Sequence, residues 1–499
     1  MINFQKICVL HHLAELLMYS KGADDTSNRG FNRLHAGGFS RRAKFLMLTG
    51  FIVIAVIVAF FVFLPRDVPT SQRDTPINET SPTLPPSNNQ NEVFESIKNT
   101  KDVAKEAVSG GSPTKNGEST PKKTGVLEST QTIDNKTWQT IAAIVWRYYQ
   151  PGVGVDENTG LPWSGTVSPY ITDWDLGVYI QAVLDAENLE LINRTEIWGF
   201  NERMDKVLDW LETRELNNAG YPYWFYRSDT GENWHENSDK APDDYIDIAD
   251  TGRLFVALNN LREYPEYTER VNDIVLHGQE YNRTNYANIV PTLKIQAETD
   301  TGIYAYYILS GFAAFWPELT PEKILDNIFS SEYIPVSGDV ALPRSAISCE
   351  PLLCAFFEIK NNDPRLATLL DMTYLAHEAY YNISGKFCAF GEGPTDTTGD
   401  WQWEWVVLPD GRTWTALNSA QETINLPPMI YTKIAFGFLA IYNTNYARNM
   451  CIYLEQNTQD PVYGFDHGVD EAGKPLLGQG TLTNGLILGA ARYYIETHP

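Results

Sequence analysis

Two kinds of helical segment alternate along the last two thirds of this chain, and the alternation restricts the folds it can adopt. The first kind carries charge on one face and an apolar stripe on the other, as in Met204, Val207, Leu208 and Leu211 at i, i+3, i+4, i+7 spacing. The second kind has so little polar surface that it must be buried on most sides. The sequence therefore predicts an all-α (α/α)6 toroid over residues 135–499, with six outer and six inner helices.

The predicted outer helices cover 138–149, 201–216, 266–281, 322–331, 365–381 and 446–456, and the predicted inner helices cover 177–186, 252–261, 302–313, 351–359, 429–442 and 485–495. Four inner helices are predicted to begin alike, with Asp175-Leu-Gly177, Asp250-Thr-Gly252, Asp300-Thr-Gly302 and Thr483-Asn-Gly485. The polar residue can cap the helix, and the glycine allows a neighbouring helix to approach closely. Their recurrence in register with the helix pairs supports a repeat.

An uncharged stretch from Phe45 to Leu64 precedes the helical part. Its twenty residues can cross the roughly 30 Å hydrocarbon layer of a membrane as a single helix. Basic residues are concentrated before it, so the positive-inside rule puts residues 1–44 in the cytoplasm and the rest of the chain outside. Residues 65–134 contain eight prolines and a single aromatic residue, which predicts a disordered extracytoplasmic linker. We therefore expect a single-pass protein of the cell membrane.

Charge and cysteine usage exclude several classes of protein. The formal net charge of −25 argues against a nucleic-acid partner, which requires clustered basic residues. The cysteines and histidines lack the spacing of a zinc site. The four cysteines after the apolar stretch are expected to be buried thiols or to include one disulfide. A calcium ion is the one cofactor left open, because several connections carry paired acids without EF-hand spacing. Nothing in the sequence indicates an oligomeric state.

The long connections lead into the inner helices, at 150–173, 217–249, 282–299, 332–350, 382–428 and 457–484. Because inner helices of a toroid run parallel, these connections are expected to meet on one face, where long loops commonly carry function. They are rich in Trp and Tyr interleaved with Asp and Glu. Aromatic rings stack on sugars, and paired carboxylates perform acid/base chemistry, so this composition favours a carbohydrate site. The alternative is that the aromatic residues only seal the loops against the core.

Three stretches resemble a known family. They are GLPWSGTVSPYITDWDLGVYIQAVLDAENLELI, YPYWFYRSDTG with DIADTGRLFVALNNL, and the closing YGFDHGVDEAGKPLLGQGTLTNGLILGAARYYIE. Together they look like the domain-of-unknown-function family 3131, which is related to the glucoamylase-like (α/α)6 enzymes. The resemblance covers roughly 137–497. It implies glycoside hydrolysis or glycan binding, and it supplies no catalytic residues.

The candidate site residues follow from position. Glu392 lies between glycines in a predicted tight turn, and Glu404 is flanked by Trp403 and Trp405, whose apolar surroundings would raise the pKa of a general acid. With Asp250 they are the predicted catalytic residues. The predicted substrate-binding residues are Asp173, Asp300, Trp174, Trp224, Trp401 and Trp403. Asp250 and Asp300 have an alternative role as caps of inner helices.

The sequence thus predicts a membrane-anchored, glycoside hydrolase-like protein that acts on an envelope or external glycan through paired carboxylates. A non-catalytic glycan-binding or envelope-organising protein on the same fold remains the alternative. Whether the chain is an enzyme is left open at this point.

Overall fold

The computed structural model describes residues 126–127 and 133–499, apart from 167, 236–239, 278–283, 361, 396–400, 425–428 and 477. The predicted cytoplasmic segment and membrane span lie outside the described residues, as does nearly all of the predicted linker. Among the residues that are described, no helix is both long enough and apolar enough to cross a membrane.

Six helices form a closed inner ring. They are α2 (Asp173–Asn188), α4 (Ile248–Leu261), α7 (Ile303–Ala313), α9 (Cys349–Glu358), α11 (Thr432–Tyr442) and α13 (Thr481–Thr497). Each packs against the next in this order, and α13 packs back against α2. Most of their residues are buried, as expected for helices with little polar surface.

The outer helices precede the inner ones along the chain. They are α1 (Asn135–Val145), α3 (Phe200–Thr213), α5 (Thr268–Val275), α6 (Val290–Thr299), α8 (Glu322–Ser330), α10 (Pro364–Ser384) and α12 (Asn445–Thr458). The third outer helix, predicted at 266–281, ends early at Val275, and a further helix, α6, lies in the segment predicted as the third connection, 282–299. A 3₁₀ turn, Tyr286–Ile289, leads directly into α6, which has a proline in its first turn.

Glycines set the spacing of the inner ring. A Cβ on Gly177 of α2 would lie 2.9 Å from the backbone nitrogen of Leu254 in α4, and a Cβ on Gly252 would lie 2.5 Å from Ile308 of α7. Both predicted close approaches are therefore present. Gly302, however, precedes α7 as its N-cap, whereas Gly177, Gly252 and Gly485 are each the fifth residue of their helices. The third repeat is thus shifted by more than a turn relative to the others.

The prediction of an all-α domain is corrected by twelve short strands among the described residues: β1 (Tyr170–Ile171), β2 (Phe225–Arg227), β3 (Asn233–Trp234), β4 (Tyr333–Ser337), β5 (Val340–Pro343), β6 (Glu392–Pro394), β7 (Trp401–Val407), β8 (Thr413–Asn418), β9 (Ile430–Tyr431), β10 (Gln459–Asp460), β11 (Gly464–Phe465) and β12 (Gly468–Val469). The domain is mostly helical. The fifth connection, treated as a loop from its sequence, contains the antiparallel sheet β6–β7–β8.

Backbone hydrogen bonds join the connections into a ring at the start of the inner helices. The donor–acceptor pairs are Ser228–Pro169, Asn285–Gly220, Ile303–Ala346, Ile347–Val407, Thr432–His467 and Thr481–Ser164, with distances of 2.9–3.0 Å. Each pair links a connection, or the first residue of the helix it enters, to a neighbouring connection. We call the face that they surround the mouth of the toroid.

Candidate active site

The sheet of the fifth connection presents one acid and three tryptophans on one face. Residues directly opposite each other in an antiparallel pair share a face, and alternate residues of a strand point the same way. Glu392 of β6 is opposite Trp403 of β7, so Trp401, Trp403 and Trp405 lie on the face of Glu392. The ring of Trp405 is 5.6 Å from that of Tyr304 on α7. This face therefore looks toward the inner helices.

Glu392 lies beside a buried ion pair. The Glu350 Oε2 atom in the first turn of α9 is 2.5 Å from Lys433 Nζ in the first turn of α11, and it accepts a hydrogen bond from the Glu392 backbone nitrogen at 3.3 Å. Burial, followed by the charge of Glu350, raises the pKa of Glu392 to about 8, although Lys433 and Arg253 oppose the shift. Glu392 is therefore mostly protonated at neutral pH, beside a glutamate that is paired with a lysine.

Glu404 lies on the other face of β7. Its partner across the ladder is Gly391, whose nitrogen donates to the Glu404 carboxylate at 3.4 Å, and the Met429 nitrogen donates to it at 2.7 Å. The side chain has no exposed surface, and burial raises its pKa well above the usual range. These contacts suit a carboxyl that holds the fifth connection together and supports the strand that carries Glu392.

On the opposite side of the mouth, the carboxylates of α2 have close partners. Asp173 is buried and forms an ion pair with Arg214, and it also accepts from Thr251 Oγ1 at 2.9 Å. Asp175 completes a capping box with Thr172 and accepts from Ser164. Burial raises the pKa of Asp175 to about 6 despite these hydrogen bonds.

Asp247 and Asp250 lie close together at the start of α4, where the charge of Asp247 acts on the pKa of Asp250. Asp247 is the N-cap residue and accepts from the Ala249 nitrogen at 2.8 Å, so the predicted capping role of Asp250 belongs to Asp247. Burial raises the pKa of Asp247 to about 6; burial and the Asp247 charge raise that of Asp250 well above its usual range. Both side chains are only half-buried.

Asp300 lies in the turn before α7 and does not cap it, since Gly302 is the N-cap residue and receives no side-chain cap. Its Oδ1 accepts from the Gly302 nitrogen at 2.7 Å, and its Oδ2 accepts from Gln296 at 3.0 Å. Both carboxyl oxygens therefore have partners within the turn that precedes α7, and the structure gives Asp300 no contact with Glu392 or the Asp247–Asp250 pair.

The predicted aromatic residues occupy different depths. Trp174 is almost fully buried, with the Arg253 guanidinium 4.8 Å from its ring and the ring of Tyr304 at 6.0 Å. Trp401 and Trp403 are half-buried on the sheet. Trp224, also half-buried, lies in the second connection against Phe225 and Tyr245. Trp174 is thus in the floor of the mouth, and the other three retain surface that a ligand could contact.

The structure adds Glu350, Lys433, Tyr304 and Arg253 to the residues around Glu392. One signal for them was visible: Lys433 is the only charged residue in the α11 segment TKIAFGFLAIY, and Glu350 is in the first turn of an inner helix, as Asp175 and Asp250 are. Their meeting, however, depends on the packing of α9 against α11.

No group of three or more His, Cys, Asp or Glu side chains within the described ranges is arranged to hold a metal ion. Calcium binding, which the sequence left open, stays an untested alternative. Cys349, Cys354, Cys388 and Cys451 are buried free thiols.

The fold is that of the (α/α)6 glycoside hydrolases. It matches a glucoamylase-like protein from Bacteroides caccae (14% identity, 72% of this chain and 94% of that chain, TM-score 0.52) and another from Bacteroides uniformis (12%, 73% and 92%, TM-score 0.52). It also matches an endo-β-1,2-glucanase from Talaromyces funiculosus in complex with sophorose (11%, 72% and 85%, TM-score 0.50). At these identities the likeness establishes the fold alone.

Residues 140–497 match the model of the protein family of unknown function DUF3131, and the chain belongs to that family. None of the curated proteins matches the sequence.

Proposed function

We propose that this protein is a glycoside hydrolase, anchored in the cell membrane and acting outside the cytoplasm on an envelope or external glycan. The observation that carries the proposal is the position of Glu392: it lies on a sheet face lined with tryptophans, beside the Glu350–Lys433 ion pair, and its pKa is raised to about 8. Glycosidases need one carboxyl that donates a proton and another that is ionised, and environments that push two pKa values apart mark such pairs.

In this mechanism Glu392 is the general acid that protonates the leaving oxygen. Glu350, in its ion pair with Lys433, raises the pKa of Glu392 and so helps it to keep its proton, and it stabilises positive charge that develops on the sugar. The Asp247–Asp250 pair, across the mouth and partly open to solvent, is the base that activates water. Glu404 is a positioning residue, because its contacts hold Gly391 next to Glu392.

The rings of Trp401, Trp403 and Trp224 are proposed to stack on sugar units, and Trp174 to form the floor beneath them. Asp173 and Asp300 were predicted to accept hydrogen bonds from sugar hydroxyls. Their carboxyl oxygens already have protein partners, so we assign them a supporting role in shaping the mouth.

A non-catalytic glycan-binding protein is the second candidate, and one observation favours it. Glu350 and Asp173 are each tied to a cation within the protein, and such ion pairs could be what remains after the loss of a catalytic pair. The known (α/α)6 neighbours favour catalysis, since one is an endo-β-1,2-glucanase bound to sophorose.

A glycan panel separates the two candidates. The full-length protein would be incubated with α- and β-linked glycans, with release of reducing ends and binding measured in parallel. An enzyme releases reducing ends from a glycan that it binds, and Glu392→Gln stops the release while binding persists. Binding without release by the unaltered protein would support the second candidate. The absence of both binding and release would contradict both candidates.

The membrane topology is a separate part of the proposal. The basic residues before 45–64 support a cytoplasmic N-terminus, and the sequons at Asn193 and Asn382 have exposed asparagines. Protease added to intact cells should digest the toroid, whereas protease added to sealed inside-out vesicles should leave it intact. The opposite pattern would overturn the orientation without bearing on the chemistry.

A further inference from the structure

Four hydrogen-bond donor atoms around the floor of the mouth have no partner among the described residues. They are Trp174 Nε1, Trp405 Nε1, and Nε and Nη1 of Arg253. The hydroxyl of Tyr304, which lies among them, shares a hydrogen bond with Glu392. The four side chains are at most 7% exposed. A buried donor without a partner costs about 1–3 kcal/mol, so native proteins contain few of them. A group of this kind therefore calls for a ligand or bound water.

The four side chains form one continuous cluster, which we call the donor floor. The Arg253 guanidinium lies 4.8 Å from the Trp174 ring, the Trp174 and Tyr304 rings are 6.0 Å apart, and those of Tyr304 and Trp405 are 5.6 Å apart. Glu392 adjoins the donor floor, because its charge influences the pKa of Tyr304 and Arg253 influences that of Glu392. The donors therefore border the reacting centre.

The neighbouring groups offer few acceptors. Glu392 carries a proton and can itself donate, while Glu350 Oε2 already accepts from the Glu392 backbone and contacts Lys433. The Glu358 carboxylate is engaged by Arg253 Nη2 and Tyr307. A neutral sugar would bring hydroxyl protons that also need acceptors here. A carboxylate brings acceptor oxygens only, and the planar fork of an arginine suits it well.

We propose that the donor floor binds the carboxylate of a uronic acid unit, so that the substrate is an acidic glycan. This inference rests on the glycosidase function proposed above and specifies its substrate class. The net negative charge of the chain does not prevent a carboxylate from binding at the donor floor. Asp173 forms an ion pair with Arg214, and the Arg253 guanidinium is itself part of the donor floor.

The test compares uronate oligosaccharides of several linkages with the same oligosaccharides after reduction of their carboxyl groups to neutral sugars. Each pair keeps linkage and length and differs only in charge and acceptor content. Binding to the full-length protein would be measured by calorimetry, and hydrolysis by release of reducing ends. We expect at least one uronate to bind about tenfold or more tighter than its reduced partner.

Two substitutions test the donor floor itself. Trp174→Phe and Trp405→Phe each remove an indole N–H that has no partner within the described structure, and each should weaken uronate binding about tenfold more than it weakens binding of the reduced partner. Trp138→Phe is the matched control, because its indole nitrogen is equally buried and lacks a described partner. It lies on α1 against Phe436 and Tyr494, so it should not alter binding.

The outcomes separate this inference from the proposed function. Hydrolysis of reduced glycans as fast as of uronates overturns the uronate assignment and leaves the glycosidase proposal standing. Uronate preference that survives both donor substitutions overturns the role of the donor floor. Failure of every glycan to bind or react overturns both proposals.

Discussion

The two sides of the mouth use carboxylates differently. On the α2–α4 side, which we call the aspartate wall, Asp173, Asp175 and Asp247 each accept hydrogen bonds or an ion pair that stabilise helix ends and the first two connections. On the other side, which we call the glutamate wall, Glu392 forms no ion pair within the described structure. It lies beside Glu350, which is paired with Lys433 and raises its pKa. Most carboxylates of the aspartate wall can be explained by helix capping alone. The protonated state of Glu392 has no such local explanation.

This difference shows where chemistry is best sought in an acidic mouth. A carboxylate that caps a helix gains stability from being ionised, so its contacts favour the charged form. Burial raises the pKa of Asp175 and Asp247 as well, but only to about 6, because hydrogen bonds at the helix ends oppose it. At Glu392 the charge of Glu350 adds to burial and the pKa rises to about 8, as expected for a functional carboxyl. Substitution of Glu392 should therefore mainly reduce activity, whereas substitutions on the aspartate wall should mainly reduce stability.

The largest expected effect is on activity. Glu392→Gln should lower hydrolysis of a glycan substrate by about 10²- to 10⁴-fold, because it removes the proton donor while keeping the shape. Its free energy of unfolding should change little, since the replaced carboxyl is already neutral at pH 7. The matched change on the aspartate wall, Asp173→Asn, should do the reverse and mainly destabilise. Equal losses of activity in the two variants would erase the distinction between the walls.

The next largest effects concern the ion pairs. Lys433→Met leaves Glu350 buried without its cationic partner, and Arg214→Met does the same to Asp173. Each substitution should lower the free energy of unfolding by about 3–5 kcal/mol. In urea titrations, adding Glu350→Gln to Lys433→Met should restore part of the loss. Of the two single variants, only Lys433→Met should alter the pH dependence of hydrolysis. An altered pH profile in Arg214→Met would mean that the aspartate wall also controls protonation.

A smaller effect separates the donor floor from the closed network beneath it. Tyr307, one turn along α7 from Tyr304, donates to the Glu358 carboxylate. Tyr307→Phe should cost about 1.5–3 kcal/mol of stability, as expected for a lost hydrogen bond to a charged group. Tyr304→Phe should cost less, about 0.5–1.5 kcal/mol, because its hydroxyl pairs with the protonated Glu392 and not with a charged group. Thermal unfolding of both variants would check this; a similar loss in each would show that Tyr304 is part of the structural network.

The sequence predicted the fold better than the site, for a physical reason. Inner and outer helices follow from local periodicity, and the close packing at Gly177 and Gly252 follows from local composition. Glu404 was chosen as a catalytic residue because tryptophans flank it. The register of β6 on β7, which no local pattern reveals, turns its carboxyl away from Glu392. The Glu350–Lys433 pair was missed because it joins two helices about eighty residues apart in sequence.

The early end of the third outer helix also could not be predicted from the local sequence pattern. The apolar spacing of 266–281 continues past Val275, where the structure ends α5. The chain then enters α6 through Pro291, whose fixed φ favours a helix start. Two short helices, α5 and α6, therefore occupy the places of the predicted helix and of the connection that was predicted after it.

The most direct test of the account is the protonation state of Glu392, which needs no substrate. Infrared difference spectra of the unaltered protein against Glu392→Gln would isolate the carbonyl band of this one carboxylic acid across a pH titration. Because burial and Glu350 raise its pKa to about 8, the band should be present at pH 7 and disappear as the pH rises through about 8. A band already lost between pH 4 and 5, the usual range of an exposed glutamate, would contradict the account.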